Sequence, residues 1–121
     1  MKESSLTLSR VVMRWLFAIC LAVVTYLFLS SMPAGVPRFP HIDKVFHFGS
    51  FFVLSALLYR AFVVPQWLAA LLLLTYGLLI EFLQLYTFDR TADFYDWLTD
   101  AAGIAAYLFV HGVIERRQQA S

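Results

Sequence analysis

Two stretches of this sequence concentrate side chains able to do acid–base chemistry or to hold an ion. The first is Asp43-Lys44-Val45-Phe46-His47; the second runs from Glu81 to Asp100 and holds Glu81, Gln84, Asp89, Arg90, Asp93, Asp96 and Asp100. On helices, at about 100° per residue, Asp43 and His47 fall one turn apart on one face with Lys44 beside them. Glu81 and Gln84 share a face at i,i+3. Asp93, Asp96 and Asp100 share another, provided their helix starts early enough. His47, Glu81 and Asp96 are the candidate catalytic groups. A carboxylate one turn before an imidazole orients it as a general base, and Glu81 is the deepest acid in its apolar run. Asp43, Lys44, Gln84, Arg90, Asp93 and Asp100 are the candidate ligand-binding groups. Lys44, Arg90 and His47 suit a phosphate or carboxylate, Arg90 through its planar, permanently charged fork.

Each group also has a plainer reading. The whole cluster can be a satisfied polar network tying helices together, since buried polar groups need partners and charge pairs can fix a packing. His47 can be a packed, hydrogen-bonded histidine. Glu81 can be an ion-pair partner of Arg90 or Lys44. Asp93 and Asp96 can be helix-start acids that complement the dipole. A third alternative is a hard-cation patch of Asp93, Asp96, Asp100 and Glu81, because oxygen ligands suit Mg²⁺ or Ca²⁺. The sequence carries no HExxH or multi-His pattern that would favour zinc. No metal-ligand set is therefore assigned and no cofactor is expected, with a divalent cation left open. There is no serine or cysteine nucleophile motif and no Gly-rich phosphate loop.

The elements that must position these groups follow from composition. The chain has 121 residues, of which 61% are hydrophobic and only 14% charged. Soluble domains are about 45–50% apolar and about 25% charged. The chain is thus expected to be all-α, an integral membrane four-helix bundle of one domain, residues 1–121, with the lipid bilayer as its first partner. A spanning helix needs roughly 20 mainly apolar residues, and the sequence offers four such runs, about 11–32, 45–64, 67–88 and 97–114. Pro33 to Pro40 is a loop, since its prolines lack donors and restrict their neighbours. Pro65 ends the second run. The fourth run begins rich in small residues, Ala101, Ala102, Gly103, Ala105 and Ala106, which let membrane helices approach closely. The basic start before the first run resembles a signal peptide, but the run is long and Ser31-Met32-Pro33-Ala34 is a poor cleavage site, so an uncleaved anchor is expected. Cys20, the sole cysteine, allows no internal disulfide.

Basic residues set the expected orientation. Lys2, Arg10, Arg14, Arg60, Arg116 and Arg117 share one side; Arg38, Lys44 and Arg90 share the other. Both termini are therefore expected in the cytoplasm. The outer end then gathers Asp43, Glu81, Asp89, Asp93, Asp96 and Asp100, leaving Glu3 and Glu115 as the other acids. The net charge of +1 and the lack of a Lys/Arg cluster give no reason to expect nucleic acid.

Three blocks carry a resemblance. Asp43-Lys44-Val45-Phe46-His47-Phe48 heads the second run, Ile80-Glu81-Phe82-Leu83-Gln84 closes the third, and Asp89 to Gly103 opens the fourth. In this order they resemble the VanZ-like family of small bacterial membrane proteins, over about residues 43–103. The founding member is associated with resistance to the glycopeptide teicoplanin. Asp100 departs from the pattern, where the family more often has Asn. The resemblance implies the fold and a multi-pass place in the bacterial cytoplasmic (inner) membrane; it does not supply a reaction. Three function classes stay open. The first is an outward-facing site that binds, and in its stronger form acts on, an envelope-related or lipid-linked ligand. The second is a structural or accessory subunit, working with a membrane protein partner or a second copy. The third is an ion or proton pathway, disfavoured because the inner half of the bundle is nearly bare of polar residues.

Overall fold

A bilayer interior offers the backbone no water, so an apolar segment satisfies its N–H and C=O groups within itself by becoming a helix. The computed structural model follows that rule. It describes residues 2–30, 42–86 and 94–120, with side chains from Leu8 in the first helix and from Lys44 in the second. The order is α1 (Lys2–Leu29), α2 (Ile42–Ala61), α3 (Gln66–Gln84) and α4 (Phe94–Ala120), with no strand among the described residues. Leu8–Leu29, Gln66–Gln84 and Phe94–Ala120 are each long and apolar enough to cross a membrane. The protein is a membrane four-helix bundle.

The helix ends have local causes. α2 stops at Ala61, short of Pro65, and Val64 stands before that proline, where α geometry is disfavoured. The terminal carbonyl of Ala61 accepts a hydrogen bond of 3.0 Å from Arg14 Nε on α1, one of the orphan acceptors every helix end leaves. The Arg14 guanidinium also lies over the Phe62 ring, 5.0 Å from its centroid. Arg14 thus ties α1 to the end of α2. Pro65 caps α3, its carbonyl accepting from Leu68 and Ala69 N–H, each at 3.1 Å. α4 begins at Phe94, early enough for Asp96 and Asp100 to share one buried face.

α2 is the centre of the bundle. It packs on α1, α3 and α4, whereas α1 and α4 do not meet among the described residues. It is also the one helix that falls outside the three apolar spans, carrying Lys44, His47 and Arg60. Its place explains that polarity, because His47, Ser50 and Ser55 are buried against neighbouring helices. The core on either side is apolar: Val24 and Phe28 from α1, Phe51, Leu54 and Leu58 from α2, Ala69, Leu73 and Ile80 from α3, Ile104 from α4. Contacts at both ends fix an up-down topology. Phe28 meets His47 at one end of the bundle, and Arg14 meets Ala61 at the other. Tyr59 and His111 meet at the Arg14 end, so the N-terminal start of α1 and the C-terminal end of α4 are at the same end of the bundle.

α2 and α4 are in tight backbone contact at Gly103. A Cβ there would stand 2.5 Å from the Phe48 carbonyl oxygen and 3.2 Å from the Phe52 nitrogen. Both are backbone atoms, so the helices themselves would have to part. Gly103→Ala is expected to cost about 1–3 kcal/mol, as overpacking does, and to lower the thermal midpoint in detergent. Gly112→Ala, where a Cβ meets nothing within 4 Å, is the control expected to leave it unchanged.

Candidate functional site

Three helix ends converge on one polar cluster at the end of the bundle away from the chain termini. α2 supplies Lys44 and His47 from its N-terminal turns, α3 supplies Glu81 and Gln84 from its last turn, and α4 supplies Asp96 and Asp100 from its first two turns. His47, Glu81, Gln84, Asp96 and Asp100 are all buried.

His47 is the hub. Its Nδ1 lies 2.7 Å from Asp100 Oδ1, a hydrogen bond between two side chains that are 2% and 0% exposed. Its Nε2 lies 3.6 Å from Asp96 Oδ2. Lys44 Nζ, at the cluster's rim, lies 3.4 Å from Asp96 Oδ1. Both nitrogens of one imidazole therefore face carboxylates of α4, and the outer carboxylate faces a lysine. The Phe28 ring stacks on the imidazole at 4.2 Å between centroids and 16° between planes, closing the side toward α1. Gln84 Nε2 donates to the Phe28 carbonyl at 2.9 Å and so ties α3 to the end of α1. Glu81 completes the centre: one ligand atom each from His47, Glu81 and Asp100 lie within 4.8 Å of one another.

Asp100 is the most enclosed group. Its Oδ2 is buried and makes no hydrogen bond among the described residues. That oxygen fits because residue 77 on α3 is glycine; a Cβ there would stand 2.8 Å from it. Chemically, the arrangement holds a histidine in a fixed orientation between anionic groups, in a site graded from the half-exposed Lys44 to the dry Asp100.

The structure thus brings together Lys44, His47, Glu81, Gln84, Asp96 and Asp100. Asp89, Arg90 and Asp93 lie outside the described residues, as does the side chain of Asp43, so the expected Asp43–His47 pairing has no geometry here. The carboxylate found on His47 Nδ1 is Asp100, from another helix. Sequence reasoning missed Phe28, which nothing in the apolar end of α1 marks as a site residue. It also missed Gly77, which a helical count would have found, four residues before Glu81 on the same face. His111, at the far end of α4, was also passed over; it pairs with Glu115 at 3.1 Å across one turn and packs beside Tyr59 and Tyr107.

The family model described as VanZ/LLP1 matches residues 4–114. No curated protein and no solved structure matches the chain.

Because Gly77 makes the room Asp100 occupies, Gly77→Ala is expected to displace that carboxylate from His47. The ¹⁵N resonances of the His47 ring, read by NMR in detergent micelles, should then move toward those of an imidazole without a carboxylate partner. Gly112→Ala should leave them in place. Unchanged His47 resonances in Gly77→Ala would show that the glycine does not set the contact.

Proposed function

This chain belongs to the VanZ/LLP1 family, and we propose that its polar cluster is a ligand site of the bacterial cell envelope. In this reading the protein is a multi-pass protein of the cytoplasmic (inner) membrane with both termini in the cytoplasm. The distribution of basic residues supports that orientation, and it directs the cluster outward. The site binds, and in its catalytic form acts on, an envelope-related or lipid-linked molecule whose polar head reaches the outer membrane surface. The family resemblance adds an influence on teicoplanin susceptibility as the cellular effect to look for.

One observation carries this reading: His47 is held between Asp100 at 2.7 Å and Asp96 at 3.6 Å, in a cluster that opens at Lys44. The cluster runs from the part-exposed Lys44 at its rim to the fully buried Asp100. Lys44 suits the anionic part of a headgroup as a mobile point charge. His47 and Glu81 are placed to take and return a proton, with Asp96 and Asp100 orienting the ring. Between this cluster and the polar groups near His111, the buried core holds Phe51, Leu54 and Ile104. That apolar stretch weighs against a continuous ion path. The accessory-subunit reading keeps one specific support, since the Lys44–Asp96 and His47–Asp100 contacts both link α2 to α4.

Two measurements test the proposal. In a Cys20→Ala background, Tyr95→Cys is expected to react with an impermeant maleimide in intact spheroplasts, and Gln118→Cys only after lysis; the opposite pattern would invert the orientation. In cells, Glu81→Gln and His47→Gln are expected to accumulate as the parent protein does yet match an empty vector in teicoplanin susceptibility. If both variants instead fail to accumulate, the cluster is scaffold and the accessory reading replaces the ligand site.

A further inference from the structure

We propose that His47, Glu81 and Asp100 bind one divalent transition-metal ion, of the zinc and manganese class. This deepens the reading of the cluster as a working site by naming an ion it would hold. The first ground is the donor set. One imidazole nitrogen and two carboxylate oxygens come from three different helices, and their ligand atoms lie within 4.8 Å of one another. Ligand atoms bonded at about 2.0–2.2 Å to a tetrahedral ion stand about 3.3–3.6 Å apart, so side-chain movements on the order of 1 Å close the site. Two carboxylates and a neutral imidazole also sum with a dication to zero charge, the arrangement that a buried place between membrane helices tolerates best.

The second ground is Asp100 itself. Its side chain is fully buried, and Oδ2 makes no hydrogen bond among the described residues. A buried carboxylate oxygen in that condition is costly and is a ready ligand. The third ground is the far side of the imidazole. A metal-bound histidine usually donates its other ring N–H to a carboxylate, which fixes the tautomer. With the metal on Nδ1, the Nε2–H points at Asp96 Oδ2, now at 3.6 Å, and Lys44 holds the other oxygen of that carboxylate at 3.4 Å. Asp96 is then a positioning residue for His47. Binding displaces the proton of the His47 Nδ1–Asp100 Oδ1 hydrogen bond: from an imidazolium it leaves to solvent, and from a neutral imidazole protonated on Nδ1 it moves to Nε2.

The ion is of the transition class because of the imidazole. Imidazole suits zinc and iron better than magnesium and calcium, which prefer oxygen alone, and the two carboxylates suit manganese as well. This differs from the Mg²⁺ or Ca²⁺ patch of aspartates suggested by the sequence, because His47 enters the ligand set while Asp96 stands behind it.

The test uses the full chain, purified in detergent, stripped with chelator and titrated with Zn²⁺, Mn²⁺ and Mg²⁺. One Zn²⁺ or Mn²⁺ per chain is expected by elemental analysis after desalting, with a raised thermal midpoint and weaker retention of Mg²⁺. Glu81→Gln and Asp100→Asn should lose the bound ion, and Asp96→Asn should weaken it by about 10–100-fold, as loss of an orienting carboxylate does. X-ray absorption on the zinc-loaded parent protein, which needs no variant to fold, should show one imidazole, oxygen ligands and no sulfur. Less than stoichiometric metal, full retention in Glu81→Gln and Asp100→Asn, or a sulfur ligand from Cys20 would overturn the inference. If no ion binds while Glu81→Gln and His47→Gln still lose the cellular phenotype, this inference falls and the ligand-site reading stands. An ion that binds stoichiometrically, with both variants still active in cells, upholds the metal site and removes the ligand reading.

Discussion

Asp100 is a carboxyl group with no exposure at all, inside a bundle whose surroundings are lipid. Taking such a group out of water costs several kcal/mol unless hydrogen bonds or charge partners compensate. The compensation is His47, 2.7 Å away on α2, and much of the architecture follows from making that contact. α2 must lie against α4 closely enough for the two side chains to meet, which Gly103 permits by leaving α2 backbone atoms where a methyl group would stand. α3 must leave space for the second carboxylate oxygen, which Gly77 does. Phe28 covers the imidazole, and Gln84 fixes the backbone of Phe28. Six residues on four helices thus make or surround one hydrogen bond.

The same constraint explains why α2 is the least lipid-like helix and yet the central one. In a bilayer there is no hydrophobic force to drive one apolar helix onto another. Association rests on close packing at small residues and on polar contacts, and α2 supplies both. Its apolar residues Phe51, Leu54 and Leu58 continue the buried face below His47. At the opposite end the α2 backbone is closed by the side chain of Arg14. α1 touches this frame through Phe28, Val24 and Arg14 and leaves most of its surface to lipid; Trp15, Ile19, Val23 and Tyr26 are all exposed.

The helical architecture was legible because length and hydropathy dominate the physics of membrane segments. The level of the polar cluster was legible too: His47, Glu81 and Asp96 stand at ends of runs that an up-down topology must bring together. What the sequence did not carry was pairing. Asp43 and Asp100 are both plausible partners for His47 on spacing and charge, and local geometry favours Asp43, one turn away. Only the docking of α4 on α2 places Asp100 on the imidazole. Helix boundaries were less legible where polar residues continue a helix beyond the apolar run. α4 runs from Phe94 to Ala120 because Glu115 to Ala120 extend it past the last apolar residues. Gly77 and Phe28 escaped notice because their roles are steric, and a glycine or phenylalanine in an apolar run has many ordinary reasons to be there. Asp100, fully buried and bonded to His47, is the residue on which the cluster turns.

The central claim is that the His47–Asp100 contact is an energetic link between α2 and α4, and a double-mutant cycle addresses it most directly. Stability of the parent chain, His47→Gln, Asp100→Asn and the double variant would be measured by reversible unfolding in mixed micelles with chelator present. The account predicts non-additivity, with a coupling of about 1–3 kcal/mol, in the range found for residues in direct contact. Single-variant costs that add to within about 0.5 kcal/mol, as they do for independent sites, would contradict it, and the cluster would then be a gathering of separately satisfied groups.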